Sequence, residues 1–144
     1  MRDDVRLTVE PRASAADVDT VAAGLRAFNE AIIGDPGFEP VNIFLRDASG
    51  QIVGGLIGVI KWRWVYVALL WVSDAHRGQG HGGALLSAAE ALGTARGCIG
   101  VHLDTFEYQA RPFYEAHGYQ LFGTLDGYPP GSRQFHLAKR LTSG

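Results

Sequence analysis

The chain has 144 residues, a formal net charge of -2 and 47% hydrophobic residues, which suits one compact domain with a substantial core and excludes a disordered chain. The slightly acidic balance argues against nucleic acid as a partner, and no apolar run approaches the roughly 20 residues of a membrane span. The only cysteine, Cys98, excludes an internal disulfide, and an acidic start without an apolar stretch argues against secretion, so a soluble, cytoplasmic protein is expected.

Residues 5–9 alternate apolar and polar, the pattern of a half-buried strand. Ser14 can cap a helix that carries Val18, Val21, Ala22, Leu25 and Phe28 at helical spacing. Gly34-Asp35-Pro36-Gly37 ends that region as a turn. Residues 41–46 and 52–60 read as strands joined by the hairpin connection Asp47-Ala48-Ser49-Gly50. Gly54, Gly55 and Gly58 mark a bulge or close packing in the second of them. Residues 65–72 are all apolar or aromatic, as expected of a strand covered on both faces.

A glycine-rich loop then leads into a helix over about 82–96, with Leu85, Ala89 and Leu92 on one face and Gly97 as its C-terminal stop. Ile99, Val101, Leu103 and Thr105 alternate as the next strand. Strand, helix and strand over this length imply a parallel pair with a right-handed crossover. A short helix over 111–117 starts with Pro112 near its first turn. Residues 119–125 and 134–141 read as a final strand pair joined by Gly127-Tyr128-Pro129-Pro130-Gly131. The architecture is therefore α/β, with a mixed sheet that is parallel in the middle, antiparallel at both ends and flanked by helices.

The loop His76-Arg77-Gly78-Gln79-Gly80-His81-Gly82-Gly83 sits between a buried strand and a helix. A helix N-terminus offers unpaired N–H groups and a partial positive charge, and glycines let the backbone approach a phosphate closely. The alternative is a plain tight turn. Gly78, Gly80 and Gly83 also satisfy the G-x-G-x-x-G pattern of dinucleotide-binding turns, with Asp104 near the end of the next strand as a ribose-binding acid. Against this, residues 73–77 separate the strand from Gly78, several elements precede the loop, and the elements after Asp104 read as antiparallel.

Arg77, Gly80 and Gly82 satisfy R-x-x-G-x-G, and here the loop resembles the pyrophosphate loop of the GNAT N-acetyltransferases. Leu70-Trp71-Val72 looks like the strand that pairs with the pantetheine arm of acetyl-CoA in that family. The segment from Ala110 to Tyr119, with Phe113-Tyr114 and Gly118-Tyr119, resembles the family's A-x-x-F-Y-x-x-x-G-[FY] block. The blocks follow in the family's order, separated by one helix and one strand.

The resemblance implies one GNAT-type domain over residues 1–144, with central parallel strands that splay apart to admit acetyl-CoA as co-substrate and no metal. The implied reaction is transfer of an acetyl group to an amine, that of a small molecule, by direct attack in a ternary complex. Leu70, Trp71 and Val72 would present backbone groups to the pantetheine arm, and an N–H near Leu70 or Trp71 would polarise the thioester carbonyl. Arg77, Gly78, Gln79, Gly80, His81, Gly82 and Gly83 would hold the pyrophosphate, and Gln109 stands where relatives carry a polar residue near the CoA arm. Arg77 could instead form a surface ion pair, and His81 could simply be a solvated loop residue.

Tyr114 matches the family tyrosine that protonates the departing thiolate; the alternative is a core aromatic. Phe113 beside it is expected in the core. The base is open, because residues 65–72 hold no carboxylate or histidine and Tyr66 lies near the position where some relatives carry a glutamate. A water chain ending at Asp104, Glu107, His102 or solvent could serve. Scattered histidines without ligand spacing argue against a metal site. Trp62, Trp64 and Tyr66 could form an apolar patch that supports a homodimer, and Trp62, Trp64 and Trp71 could line a substrate pocket. A non-catalytic acyl-CoA-binding module of the same fold is the alternative to an enzyme.

Overall fold

In the computed structural model, which describes residues 4–141, the Ser14 hydroxyl accepts the Asp17 N–H at 3.1 Å and caps helix α1 (Ala15–Ile33) as expected. Gly34 ends the helix at φ 95°, its N–H donating to the Glu30 carbonyl. This helix belongs to a first compact unit, Met1–Asp35, and all later elements belong to a second, Pro36–Gly144. Residues 5–9, expected as a strand, are irregular, with Val5, Leu7 and Val9 exposed. Alternation permits a strand, but a strand exists only within a hydrogen-bonded ladder, and among the described residues none pairs with 5–9.

The second unit is one six-stranded sheet. Its strands are β1 (Glu39–Arg46), β2 (Ile52–Lys61), β3 (Trp64–Val72), β4 (Gly100–Phe106), β5 (Gln120–Asp126) and β6 (Arg133–Arg140), in the order β1-β2-β3-β4-β6-β5. Only the β3–β4 pair is parallel, so the sheet is mixed, parallel in the middle and antiparallel at both ends. The β1–β2 hairpin is set by Asp47, whose carboxylate accepts from the Ser49 hydroxyl and from the Ser49 and Gln51 N–H groups. Those bonds, led by the Ser49 hydroxyl, hold its carboxyl below the usual range.

Helix α2 (His81–Ala95) connects β3 to β4 and buries Leu85, Leu86 and Ala89. These meet Val41, Leu56, Val65, Val67, Val101 and Leu103 from the sheet, and Tyr114 of helix α3 (Arg111–Ala116) joins the same core. At about 25 cal/mol per Å² of apolar area removed from water, this layer is the main stabilising contact of the unit. A partly buried polar cluster borders it: Glu90 of α2 accepts from the Tyr119 hydroxyl at 2.8 Å and from Lys139 Nζ at 3.0 Å. Burial, and then that carboxylate, push the Tyr119 phenol well above its ordinary pKa. Among the described residues no helix is long and apolar enough to cross a membrane.

The glycines of β2 do mark a bulge, and the extra residue falls on β3. The register passes from Ile57↔Leu69 to Gly58↔Val67, leaving Ala68 unmatched. A side chain at Gly58 would run into the Tyr66 carbonyl oxygen. The parallel ladder runs from Trp64↔Gly100 to Val67↔Leu103 and stops there, just before Ala68. Beyond the bulge β3 parts from β4, and the sheet opens. This corrects the expectation that 65–72 is covered on both faces: Val65 and Val67 are buried, but Leu69 and Trp71 are 63% and 52% exposed. The open end of the strand borders a cleft rather than a second layer.

Candidate donor and acetyl-transfer site

Two cavities meet at the opening. The smaller, about 460 Å³, lies where the end of β3 meets the glycine loop and α3, and is lined by Leu70, Trp71, Val72, His76, Arg77, Gly78, Gly80, His81, Gly82, Gly83, Ala110, Phe113 and Tyr114. The loop turns sharply because Gly78 and Gly80 adopt φ 74° and 83°, values that residues with a side chain rarely take. A Cβ at either position would meet nothing within 4 Å, so glycine is there for backbone conformation and for room in front of the loop.

The first intrahelical bond of α2 is made by the Ala84 N–H to the Gly80 carbonyl at 3.1 Å. The N–H groups of His81, Gly82 and Gly83 precede it, and no acidic residue occupies the first turn. Gly82 and Gly83 also allow α2 to sit against α3, since added Cβ atoms would lie 3.4 Å from the Phe113 ring and 2.8 Å from the His117 ring. Backbone donors, a partial positive charge and space at one helix end fit a pyrophosphate.

Arg77 currently pairs with Asp74 at 2.7 Å and donates from Nε to the Val72 carbonyl at 2.9 Å. Both side chains of the ion pair are exposed, so the pair contributes about 0–1 kcal/mol and yields readily to a phosphate. The two readings of Arg77 are thus compatible. His81 lines the cavity with its ring 6.4 Å from that of His76. Gln79 lines neither cavity.

The larger cleft, about 790 Å³, lies between the parted strands and is lined by Val67, Ala68, Leu69, Leu70, Trp71, Arg77, Asp104, Thr105, Tyr108, Gln109, Ala110 and Tyr114. On the side facing β4, residues 68–72 have no strand partner, which leaves an edge that an extended amide chain can join. Gln109 stands at this cleft with its amide oxygen turned inward, accepting the Phe106 N–H at 2.8 Å and the Thr105 hydroxyl at 3.1 Å. It shapes the loop after β4.

Tyr114 is a core residue, 8% exposed, and also lines both cavities. Among the described residues no hydrogen bond ends on its hydroxyl. Burial, and then the charge of Asp104, raise its pKa, which keeps the phenol protonated. Phe113, expected in the core, is only partly buried and rests against the glycine loop and the His117 ring, 4.5 Å away.

The structure separates the candidate bases. Glu107 is tied to Arg133 at 2.6 Å and lines neither cavity. His102 lies beside the Tyr66 ring, 5.0 Å away, and its pKa is lowered by burial. Asp104 lines the cleft and accepts from the Tyr66 hydroxyl at 2.8 Å. Sequence reading missed this bond because its partners are 38 residues apart. Trp62, Trp64 and Tyr66 line a separate apolar depression of about 710 Å³, and Trp71 lines the two cavities of the opening instead.

Residues 39–121 match the family model described as an acetyltransferase (GNAT) domain. The chain belongs to the GNAT acetyltransferase family. It is 42% identical over 93 residues to blasticidin-S acetyltransferase of Streptomyces morookaense, covering 64% of this chain and 68% of that protein. A crystal structure of a protein from Agrobacterium tumefaciens assigned as an acetyltransferase superposes with a TM-score of 0.89 at 33% identity, covering 94% of this chain and 99% of that one. At 21% identity, and so for the fold alone, a protein of Bacillus anthracis assigned as a streptothricin acetyltransferase, solved with acetyl coenzyme A, has a TM-score of 0.62, covering 71% of this chain and 64% of that one. The family membership favours the GNAT reading of the glycine loop over the dinucleotide turn.

Proposed function

We propose that this GNAT acetyltransferase moves an acetyl group from acetyl-CoA to the amine of a small molecule, by direct attack with donor and acceptor bound together. The observation that carries the reading is the opening between β3 and β4, which joins a free strand edge to a glycine-rich helix N-terminus. Arg77, Gly78, Gly80, His81, Gly82 and Gly83 hold the pyrophosphate, and Gln79 contributes its backbone to the same turn. Leu70, Trp71 and Val72 offer backbone N–H and C=O groups to the pantetheine arm. An N–H near Leu70 or Trp71 draws charge onto the thioester oxygen as the amine adds.

Tyr114 gives its proton to the departing sulfur, because a thiol leaves more readily than a thiolate. Its depth in the cleft suits this role, since burial keeps the phenol neutral until the sulfur needs the proton. The small-molecule acceptor is supported by the relative that acts on blasticidin S. The alternative, a non-catalytic acyl-CoA-binding module of the same fold, is favoured only by the lack of a carboxylate or histidine in residues 65–72.

Hydrogen exchange tests the donor site directly. Acetyl-CoA should protect the amides of residues 70–84, through added backbone pairing and phosphate contacts. Protection confined to other segments would remove this placement. Release of free CoA with amines present should accompany it, and protection without any release would leave a binding module.

A further inference from the structure

The proton that leaves the acceptor needs a destination, and the opening of the sheet contains one. Asp104 occupies the first position of β4 beyond the parallel ladder, which ends at Val67↔Leu103. It faces the cleft shared with Tyr114. Its Oδ2 accepts from the Tyr66 hydroxyl at 2.8 Å, so the last paired stretch of β3 reaches across and fixes the carboxylate. Oδ1 has no hydrogen-bond partner among the described residues. Arg77 is the only other charged residue lining that cleft, and it is engaged by Asp74.

The surroundings make the carboxylate a specific recogniser of cations. Val67, Ala68, Leu69, Leu70 and Trp71 form an apolar wall. An ammonium entering such a cleft loses water and requires an anion in return. The groups facing Asp104 are Tyr66 from β3, His102 two residues earlier on β4, His136 opposite it on β6 and Tyr114 from α3. Tyr66 and Tyr114 are kept neutral by burial and by Asp104, and burial disfavours the charged form of His102. None of these three supplies the counter-charge that an incoming cation would.

Resting on the acetyl-transfer reading, we infer that Asp104, held by Tyr66, binds the acceptor as a cationic amine and takes up the proton it gives up. Tyr66 is the positioning residue. The steps balance. The ammonium gives one proton to the Asp104 carboxylate, and the freed lone pair forms the C–N bond to the thioester carbon. The C–S bond breaks, and the sulfur takes the proton of Tyr114. The nitrogen's second proton restores Tyr114, and Asp104 passes its own to solvent. The products are the amide, free CoA and one proton.

The test uses the full chain, wild type and the variants Asp104→Asn, Asp104→Glu and Tyr66→Phe. Calorimetry with acetyl-CoA reads the donor site. Release of free CoA is followed with primary alkylamines and diamines, which are cationic at neutral pH, and with arylamines, which are neutral. The expected result is a preference for the cationic set. Asp104→Asn should lose about a hundred- to ten-thousandfold in kcat/KM with acetyl-CoA affinity unchanged, and Asp104→Glu should recover part of it.

Tyr66→Phe should lose about tenfold, the scale of one hydrogen bond to a charged group. The dependence of kcat/KM on pH should change shape in Asp104→Asn, a change that a merely structural role would not produce. Preference for arylamines, or wild-type turnover and pH profile in Asp104→Asn with acetyl-CoA bound, would overturn this inference alone. Failure of the wild type to bind acetyl-CoA would overturn the acetyl-transfer reading and this inference with it.

Discussion

Residues 64–67 and 68–72 of β3 lie in one strand and do opposite work. The first stretch is paired on both sides, antiparallel to β2 and parallel to β4, and buries Val65 and Val67 under α2. The second keeps only the β2 side, and Leu69 and Trp71 stay exposed. Their residue types hardly differ; all are apolar or aromatic. The difference is made by one unmatched residue, Ala68, and by a neighbour on β2 small enough to let it stand. A strand can thus act as scaffold along one part and as a binding edge along the other, and the switch resides in backbone register rather than in hydrophobicity.

The largest effect should come from closing the open part at its phosphate end. Gly80→Asp puts a carboxylate at the mouth of the loop, where it repels the donor's phosphates. Acetyl-CoA affinity should fall by about a thousandfold, or about 4 kcal/mol. Aspartate tolerates the left-handed conformation at Gly80 better than most residues, so the protein should stay folded with a small drop in Tm. Calorimetry and thermal unfolding together check this, and unchanged affinity in a folded variant would remove the loop from the donor site.

A smaller effect should follow from changing chemistry while leaving both parts of β3 intact. Tyr114→Phe keeps the ring in the core and removes the proton donor. Turnover should fall by roughly ten- to a thousandfold, with acetyl-CoA affinity nearly constant, because the ring contacts survive. Steady-state kinetics on the best acceptor, paired with calorimetry, decides it. Wild-type turnover would leave Tyr114 as packing alone.

The smallest effect, and the one that addresses the comparison itself, is Gly58→Ala. The methyl group has no room against the Tyr66 carbonyl, so the bulge must shift or the hairpin must part. Stability should drop by about 1–3 kcal/mol, measured by chemical denaturation. Stability equal to wild type would show that the bulge does not depend on glycine there.

Much of this fold was legible in the chain. Ser14 as a cap, the 47–50 hairpin, Gly97 as a helix stop and the order of strands around α2 all depend on local chemistry and found their places within a residue or two. Residues 5–9 were misread because alternation says nothing about whether a neighbouring strand exists. The coverage of 65–72 was misread because apolar residues suit a buried layer and a ligand-binding groove equally well. In the site, the glycine loop announced itself by composition, and the parted strands came from the family resemblance rather than from periodicity. Gln79 carried no signal to separate it from its neighbours, and the bond between Tyr66 and Asp104 is a long-range contact that only the fold brings together.

The ion pair between Arg77 and Asp74 has a bearing on how donor binding begins. A free arginine on a surface loop samples many rotamers, and fixing it costs conformational entropy at the moment of binding. Here the guanidinium is already bracketed by Asp74 and the Val72 carbonyl before any donor arrives. On the proposed donor reading, the phosphates would replace the Asp74 carboxylate as the anion on a guanidinium already turned toward the end of β3.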